Sequence, residues 1–175
     1  MKRLRIEQAN EWISSLTAGE EVLLSGEVYT ARDAVHKRWK AALEAGEALP
    51  ISFENTGIYY AGPTGAPEGM PIGSCGPTTS SRMDPYYPAL ARMGLRITIG
   101  KGDRSSAVYE AIKETEGVYF CAIGGAGALY ATRIESCQVV GYSELGCESL
   151  KKLVLKDFPV FVGIDSRGNS LFGGT

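Results

Sequence analysis

The chain is poor in the residues that most often declare a metal or redox centre. It has one histidine, His36, and four cysteines with no C-x-x-C pair, too few paired ligands for a zinc site. No apolar run approaches the ~20 residues that span a bilayer. Met1–Ile6 is basic, yet the apolar stretch of a secretory signal does not follow it, so a cytoplasmic location is expected. The net charge is only −2, which argues against a nucleic-acid partner. Repeats, linkers and low-complexity tracts are lacking. Gly124, Gly125 and Gly127 have neither the strand-plus-acid context of a dinucleotide site nor a Walker lysine, which removes nucleotide binding.

What remains is an ordinary globular composition. With 175 residues, 44% hydrophobic and 22% charged, residues 1–175 are expected to form one domain with a sizeable core. Alternation over Glu21–Tyr29 predicts a strand. Ala31–Ala45 predicts a helix with Val35, Trp39, Ala42 and Leu43 on one stripe, and with Arg32, His36 and Lys40 along another face. Ile58–Ala61 and Ile72–Cys75 are expected to be strands joined by a turn-rich connection. Arg96–Ile99, Gly117–Cys121, Ile134–Val140, Lys152–Lys156 and Val160–Asp165 are further predicted strands, with a helix over Ser105–Glu116. Mixed elements of this kind predict an α/β domain.

Residues 76–84, Gly-Pro-Thr-Thr-Ser-Ser-Arg-Met-Asp, form the most informative stretch. Four hydroxyls and the guanidinium of Arg82 suit a carboxylate, which takes bidentate hydrogen bonds from arginine. Helical spacing from Met83 to Met93 predicts that the loop opens a helix whose N–H groups also favour an anion. The plain alternative is that the serines and threonines only cap that helix.

This loop, with Thr30–Arg38, Gly100–Ser105 and Ile123–Ala128 in the same order, resembles the iron–sulfur-dependent hydro-lyases, the class I fumarase and L-tartrate dehydratase family. Asp157-Phe158-Pro159, Ile164-Asp165 and Gly168-Asn169 also fit, so the likeness runs from about Glu21 to Phe172. The part resembled is the β subunit, equivalent to the C-terminal region of single-chain enzymes. The resemblance implies a swivelling β/β/α layered domain, with two sheets against helices. It implies a site in which Arg32, Arg82 and Lys101 bind the carboxylates of a dicarboxylate substrate and Thr78 stands at the reacting carbon in a proton-transfer role. It implies a [4Fe–4S] cluster held by a cluster-bearing α subunit, within a homodimeric or heterotetrameric assembly. Arg82-Met83-Asp84 and Lys101–Ser105 favour fumarate hydratase over tartrate dehydratase; a non-catalytic interaction module is the reading from another class.

The residues themselves can be weighed against those roles. Fumarate, malate and tartrate are dianions, so their site needs cations, a Lewis acid and a proton acceptor. Arg32 at a helix start opposes the macrodipole, partly offset by Asp33, and a bound anion would explain it. Lys101 lies between two glycines, where bare backbone admits a ligand; otherwise it is an exposed turn lysine. Asp84 is expected to serve Arg82 or the helix start, and Asp103 and Arg104 to orient their loop. Threonine is a weak base, which leaves Thr78 firmer as a pocket residue than as the base. His36 invites a general-base role, although a lone helical histidine is commonly structural. Cys121 and Cys137 are expected to be buried thiols, Cys75 to be packing before reactivity, and no cysteine of this chain to ligate the cluster. The Gly124–Gly127 segment is expected to pack against the partner.

Overall fold

The computed structural model describes residues 1–123 and 125–173. Seven strands are joined in hydrogen-bonded order β1-β2-β3-β4-β5-β7-β6, and an additional β2–β7 pairing closes the sheet on itself. The strands are β1 (Lys2–Arg5), β2 (Glu21–Thr30), β3 (Gly57–Tyr59), β4 (Ile97–Gly100), β5 (Val118–Cys121), β6 (Ile134–Gly141) and β7 (Leu150–Ile164). Among the described residues, five α-helices accompany them: α1 (Ala9–Trp12), α2 (Asp33–Glu44), α3 (Tyr87–Arg92), α4 (Ser106–Thr115) and α5 (Gly127–Ala131).

Two long strands make closure possible. One edge of β2 pairs in parallel with β1 near its start and with β3 near its end. Its other edge runs antiparallel to β7 from Glu21↔Phe161 to Thr30↔Lys151. The far edge of β7 is shared by β6 and β5. The predicted Lys152–Lys156 and Val160–Asp165 strands are thus one element, continued through Pro159, which pairs with Leu23. β2, β3, β4 and β5 are mutually parallel, so their carboxyl ends lie along one rim.

Alternating side chains build a core on each face of this parallel region. Tyr59, Ile97, Ile99, Val118 and Phe120 point inward, against Val22, Leu24, Leu153 and Phe158. Ile58, Tyr60 and Tyr119 point outward, beneath Val35 and Trp39 of α2, Tyr87 and Leu90 of α3, and Val108 and Ile112 of α4. Each fully buried large apolar side chain contributes about 1.5–3 kcal/mol over an exposed one.

Three expectations fail locally. Ile72–Cys75 does not return as a strand; β3 instead pairs in parallel with β2 and β4, and residues 60–78 carry no helix or strand. The run Met83–Met93 is divided, with a 3₁₀ turn at Ser80–Met83 and α3 starting only at Tyr87, because Pro85 has no N–H to continue the ladder. His36 does not share a polar face with exposed Lys40 but is buried beside Val35 and Trp39.

Candidate active site

Four segments that leave the rim of parallel strands carry the candidate residues. Arg32 follows β2 as the N-cap residue of α2. Tyr60 follows β3, and its carbonyl accepts the Thr78 N–H at 2.6 Å. Lys101 follows β4 and forms a parallel bridge with Thr79, while its carbonyl accepts the Ser80 N–H at 3.0 Å. The carboxyl ends of parallel strands gather residues distant in sequence in this way. Thr78, Arg82 and Lys101 are therefore brought together by one loop laid over β3 and β4. Asp33, next to Arg32 in the chain, accepts from Arg82 Nε at 3.1 Å and from Arg82 Nη2, while the Arg32 guanidinium itself lies beside Gly62 and Glu148.

The loop is not built as its composition suggests. No side chain caps the Ser80–Met83 turn, and the Cys75, Thr78 and Ser80 N–H groups donate to Gly127, Tyr60 and Lys101 carbonyls. Those N–H groups are consumed internally, so charge toward an anion comes from side chains. Ser80 Oγ bonds the Tyr119 hydroxyl at 2.7 Å instead of a helix end. Gly100 serves that contact: a Cβ there would stand 1.9 Å from Ser80 Oγ. Its bareness admits the loop, not a ligand. Gly127 likewise packs on this chain, where a Cβ would meet Ser74 Oγ at 2.2 Å and Gly76 N at 2.9 Å. Gly124, from the same motif, lies outside the described residues.

Asp84 serves neither Arg82 nor its own helix. One oxygen accepts from Arg104 Nε at 2.5 Å and the other from the Ser105 N–H at 2.7 Å. The Arg104 side chain is 0% exposed and lies among the rings of Tyr60, Tyr87 and Tyr119, with centroids at 5.1, 5.3 and 4.8 Å. Nη2 donates to the Tyr60 hydroxyl at 3.1 Å. Buried Nη1 has no hydrogen-bond partner among the described residues, and the negative ring faces are its compensation. Tyr119 completes the network by donating to Gly102 O at 2.8 Å. Beneath the site, then, a charged and aromatic core ties the backbone of Thr78 to that of the Lys101 turn. Asp103 orients its loop as expected, accepting from Arg104 N and the Tyr109 hydroxyl, each at 2.7 Å.

His36 is buried among Trp39, Tyr60 and Tyr86. Its Nδ1 lies 2.8 Å from Arg32 O, and a carbonyl can only accept, so neutral His36 carries its proton on Nδ1. Burial lowers its pKa to about 4, which suits an anchor for the start of α2 rather than a base at neutral pH. The folded value lies below the unfolded 6.5, so the unfolded chain takes the proton first as pH falls. Stability is expected to be intact above pH 6.5 and to drop by roughly 2 kcal/mol by pH 5, with further loss toward 4. His36→Gln keeps a donor for Arg32 O and removes the titration. Urea unfolding at pH 7 and pH 5 should show a smaller difference for this variant than for wild type; equal differences would overturn the assignment.

The four thiols occupy different environments. Cys75 is buried, and desolvation pushes it up to about 12. Cys121 and Cys137 are only half-buried, the latter because β6 is an edge strand; burial raises both, Cys121 to about 11. Cluster ligands are thiolates, a form that burial disfavours at Cys75, Cys121 and Cys137, whereas Cys147 is exposed. Among the described residues no group of three or more His, Cys, Asp or Glu is arranged to hold a metal ion. No described helix is long and apolar enough to cross a membrane.

The site is an open rim. Concavities among the described residues include one of about 300 Å³ between α2 and α3 lined by His36, Trp39 and Tyr86, one of about 330 Å³ lined by Ile72, Cys137 and Lys151, and a shallower one of about 590 Å³ lined by Ser81, Asp84, Asp103 and Arg104. Sequence reasoning missed the Asp84–Arg104 pair and Glu148, which lies 3.9 Å from Arg32 Nε. The Arg104 pair had a signal in the aspartate and arginine of two adjacent motifs; Glu148 had none.

A family profile described as Fumarase C-terminus matches residues 1–175. Fumarate hydratase 2 of Leishmania major is 38% identical over 172 residues, covering 97% of this chain and 30% of that protein. The aerobic class I fumarate hydratase of Escherichia coli K12 is 40% identical over 162 residues, covering 91% of this chain and 30% of that protein. "Putative L(+)-tartrate dehydratase subunit beta" of Methanocaldococcus jannaschii is 32% identical over 166 residues, covering 91% and 85%. The chain thus spans 30% of the length of the two fumarate hydratases and most of the tartrate dehydratase subunit. By the profile match over its whole length and by this last relative, the chain belongs to the Fumarase C-terminus family.

Proposed function

We propose that this chain is the β component of a two-component hydro-lyase that interconverts fumarate and (S)-malate. The observation that supports the reading is the pairing of the Thr78–Arg82 loop with Lys101, and the bond from Arg82 to Asp33, which follows Arg32 at the start of α2. Arg32, Arg82 and Lys101 bind the two substrate carboxylates, and their charge stabilises the anion that builds on a carboxylate as the adjacent double bond is hydrated. Thr78, half-buried with its backbone fixed to Tyr60, places its hydroxyl at the reacting carbon, where it moves the proton with help from the developing charge. We assign the chain to the swivelling β/β/α type as a single unit over residues 1–175, with one closed sheet in place of the two expected sheets and helices against its outer face. We place the enzyme in the cytoplasm.

A Lewis acid for the hydroxyl is required, and we assign the [4Fe–4S] cluster that supplies it to an α partner, a reading supported by burial disfavouring thiolate at Cys75, Cys121 and Cys137. The rim completes its pocket against that partner. A relative described as a subunit beta, matched over 85% of its length, supports a two-chain assembly and also favours a second reading, the β component of an L(+)-tartrate dehydratase. Co-expression with a cluster-bearing α chain and anaerobic assay with fumarate, (S)-malate and both tartrates tests these statements. Turnover of fumarate and malate is expected only from the pair. Tartrate turnover well above malate turnover would reassign the substrate, and full activity from this chain alone would end the two-component reading.

A further inference from the structure

The two candidate arginines lie on different loops, yet each meets a carboxylate at the first turn of α2. Asp33, the first residue of that helix, takes both Nε and Nη2 of Arg82. Glu148, from the turn before β7, accepts the Ala34 N–H at 3.3 Å, and the same oxygen lies 3.9 Å from Arg32 Nε. A helix start offers unpaired N–H groups and the positive end of the dipole, which stabilise both acids there. The turn bearing Glu148 is itself fixed, because buried Lys151 Nζ donates to Gly146 O at 3.2 Å, Cys147 O at 3.1 Å and Ser149 Oγ at 2.8 Å.

Each acid approaches its guanidinium from the Nε side. No acceptor among the described residues takes Nη1 of Arg82 or either Nη of Arg32. Arginine presents five N–H donors in a rigid planar fork, so Asp33 on one edge of Arg82 sets its plane and leaves the other edge for a second carboxylate, whereas Glu148, beyond hydrogen-bond range of Arg32, acts on that guanidinium through its charge. Arg32 Nε is buried without a hydrogen bond, so the Glu148 charge is its nearest compensation.

We propose that Asp33 and Glu148 are positioning residues: from the α2 N-terminus they aim the free edges of Arg82 and Arg32 at the substrate carboxylates. The proposal rests on the reading that these arginines bind substrate. Its plain competitor is a pair of surface salt bridges with no functional consequence.

A double-mutant cycle in the assembled α–β enzyme separates them. Asp33→Asn and Glu148→Gln are each expected to lower kcat/KM by about 10- to 100-fold, as misaimed contacts do. The Tm of each should stay within about 2 °C of wild type, since Gln can still accept the Ala34 N–H and the Asp33 pair is exposed. Asp33→Asn should cost nothing further in an Arg82→Ala background but its full amount in an Arg32→Ala background, and Glu148→Gln should show the converse. Unchanged kcat/KM for the acid variants, or losses that add fully to those of their own arginines, would overturn the proposal. If instead Arg32→Ala and Arg82→Ala are themselves neutral, the substrate-binding reading falls, and the proposal falls with it.

Discussion

Arg104→Ala is expected to destabilise the chain by about 3–5 kcal/mol, a fall in Tm of about 10 °C. The size follows from burial. Removing one member of a buried ion pair leaves the other without its counter-charge, and Asp84 is only 7% exposed. The loss also empties a volume bounded by three tyrosine rings and strips the Tyr60 hydroxyl of its donor. Arg104→Met combined with Asp84→Asn should recover part of the loss, because the uncompensated charge disappears while Asn can still accept the Ser105 N–H. Tyr119→Phe, which cuts only the link from Ser80 to Gly102, should cost about 1–2 kcal/mol. Thermal unfolding of the purified chain is the measurement. An Arg104→Ala variant melting within 3 °C of wild type, on a scale of roughly 2–4 °C per kcal/mol, would show that the network under the site contributes little.

Arg82→Ala, tested in the assembled enzyme, is expected to lower kcat/KM by roughly 30- to 1000-fold, equivalent to about 2–4 kcal/mol of transition-state stabilisation. Stability should barely move, because the Arg82 side chain is 49% exposed and surface ion pairs are worth ~0–1 kcal/mol. That contrast makes the variant informative: a large rate effect with an unchanged melting curve locates the guanidinium at the substrate. Gel filtration must accompany the assay. Loss of the complex without loss of folding would mark the loop as interface and favour the non-catalytic module. A weaker substrate affinity with kcat intact would make Arg82 a simple anion anchor.

The distribution of correct and incorrect expectations follows the range of the forces involved. The helix over Asp33–Glu44, the strand over Glu21–Thr30 and the βαβ run from Ile97 to Cys121 were legible because periodicity and end signals act within a few residues. The division of the Met83–Met93 run has a local signal in Pro85, whose missing N–H outweighs the helical spacing. The expected hairpin through Ile72–Cys75 failed for another reason. Apolar content there reflects contact with the inner core, where Ile72 and Cys75 are buried without strand pairing. His36 shows the same limit, since its spacing with Arg32 and Lys40 is real but the α2–sheet packing buries it.

By itself the sequence determined which segments carry charge and hydroxyls, that the chain alternates strands and helices, and that its thiols and single histidine are poorly spaced for a metal site. Only the tertiary structure decided which acid meets which base. Asp33 bonds Arg82 across 49 positions, Asp84 bonds Arg104 across 20, and Glu148 reaches the α2 start across 114. Partner choice at such separations depends on strand register, on sheet closure through β2 and β7, and on the space that Gly100 leaves for Ser80. Those quantities exist only once remote segments are packed, because a charge pairs with whatever the fold brings within a few ångströms and not with its neighbour in the chain.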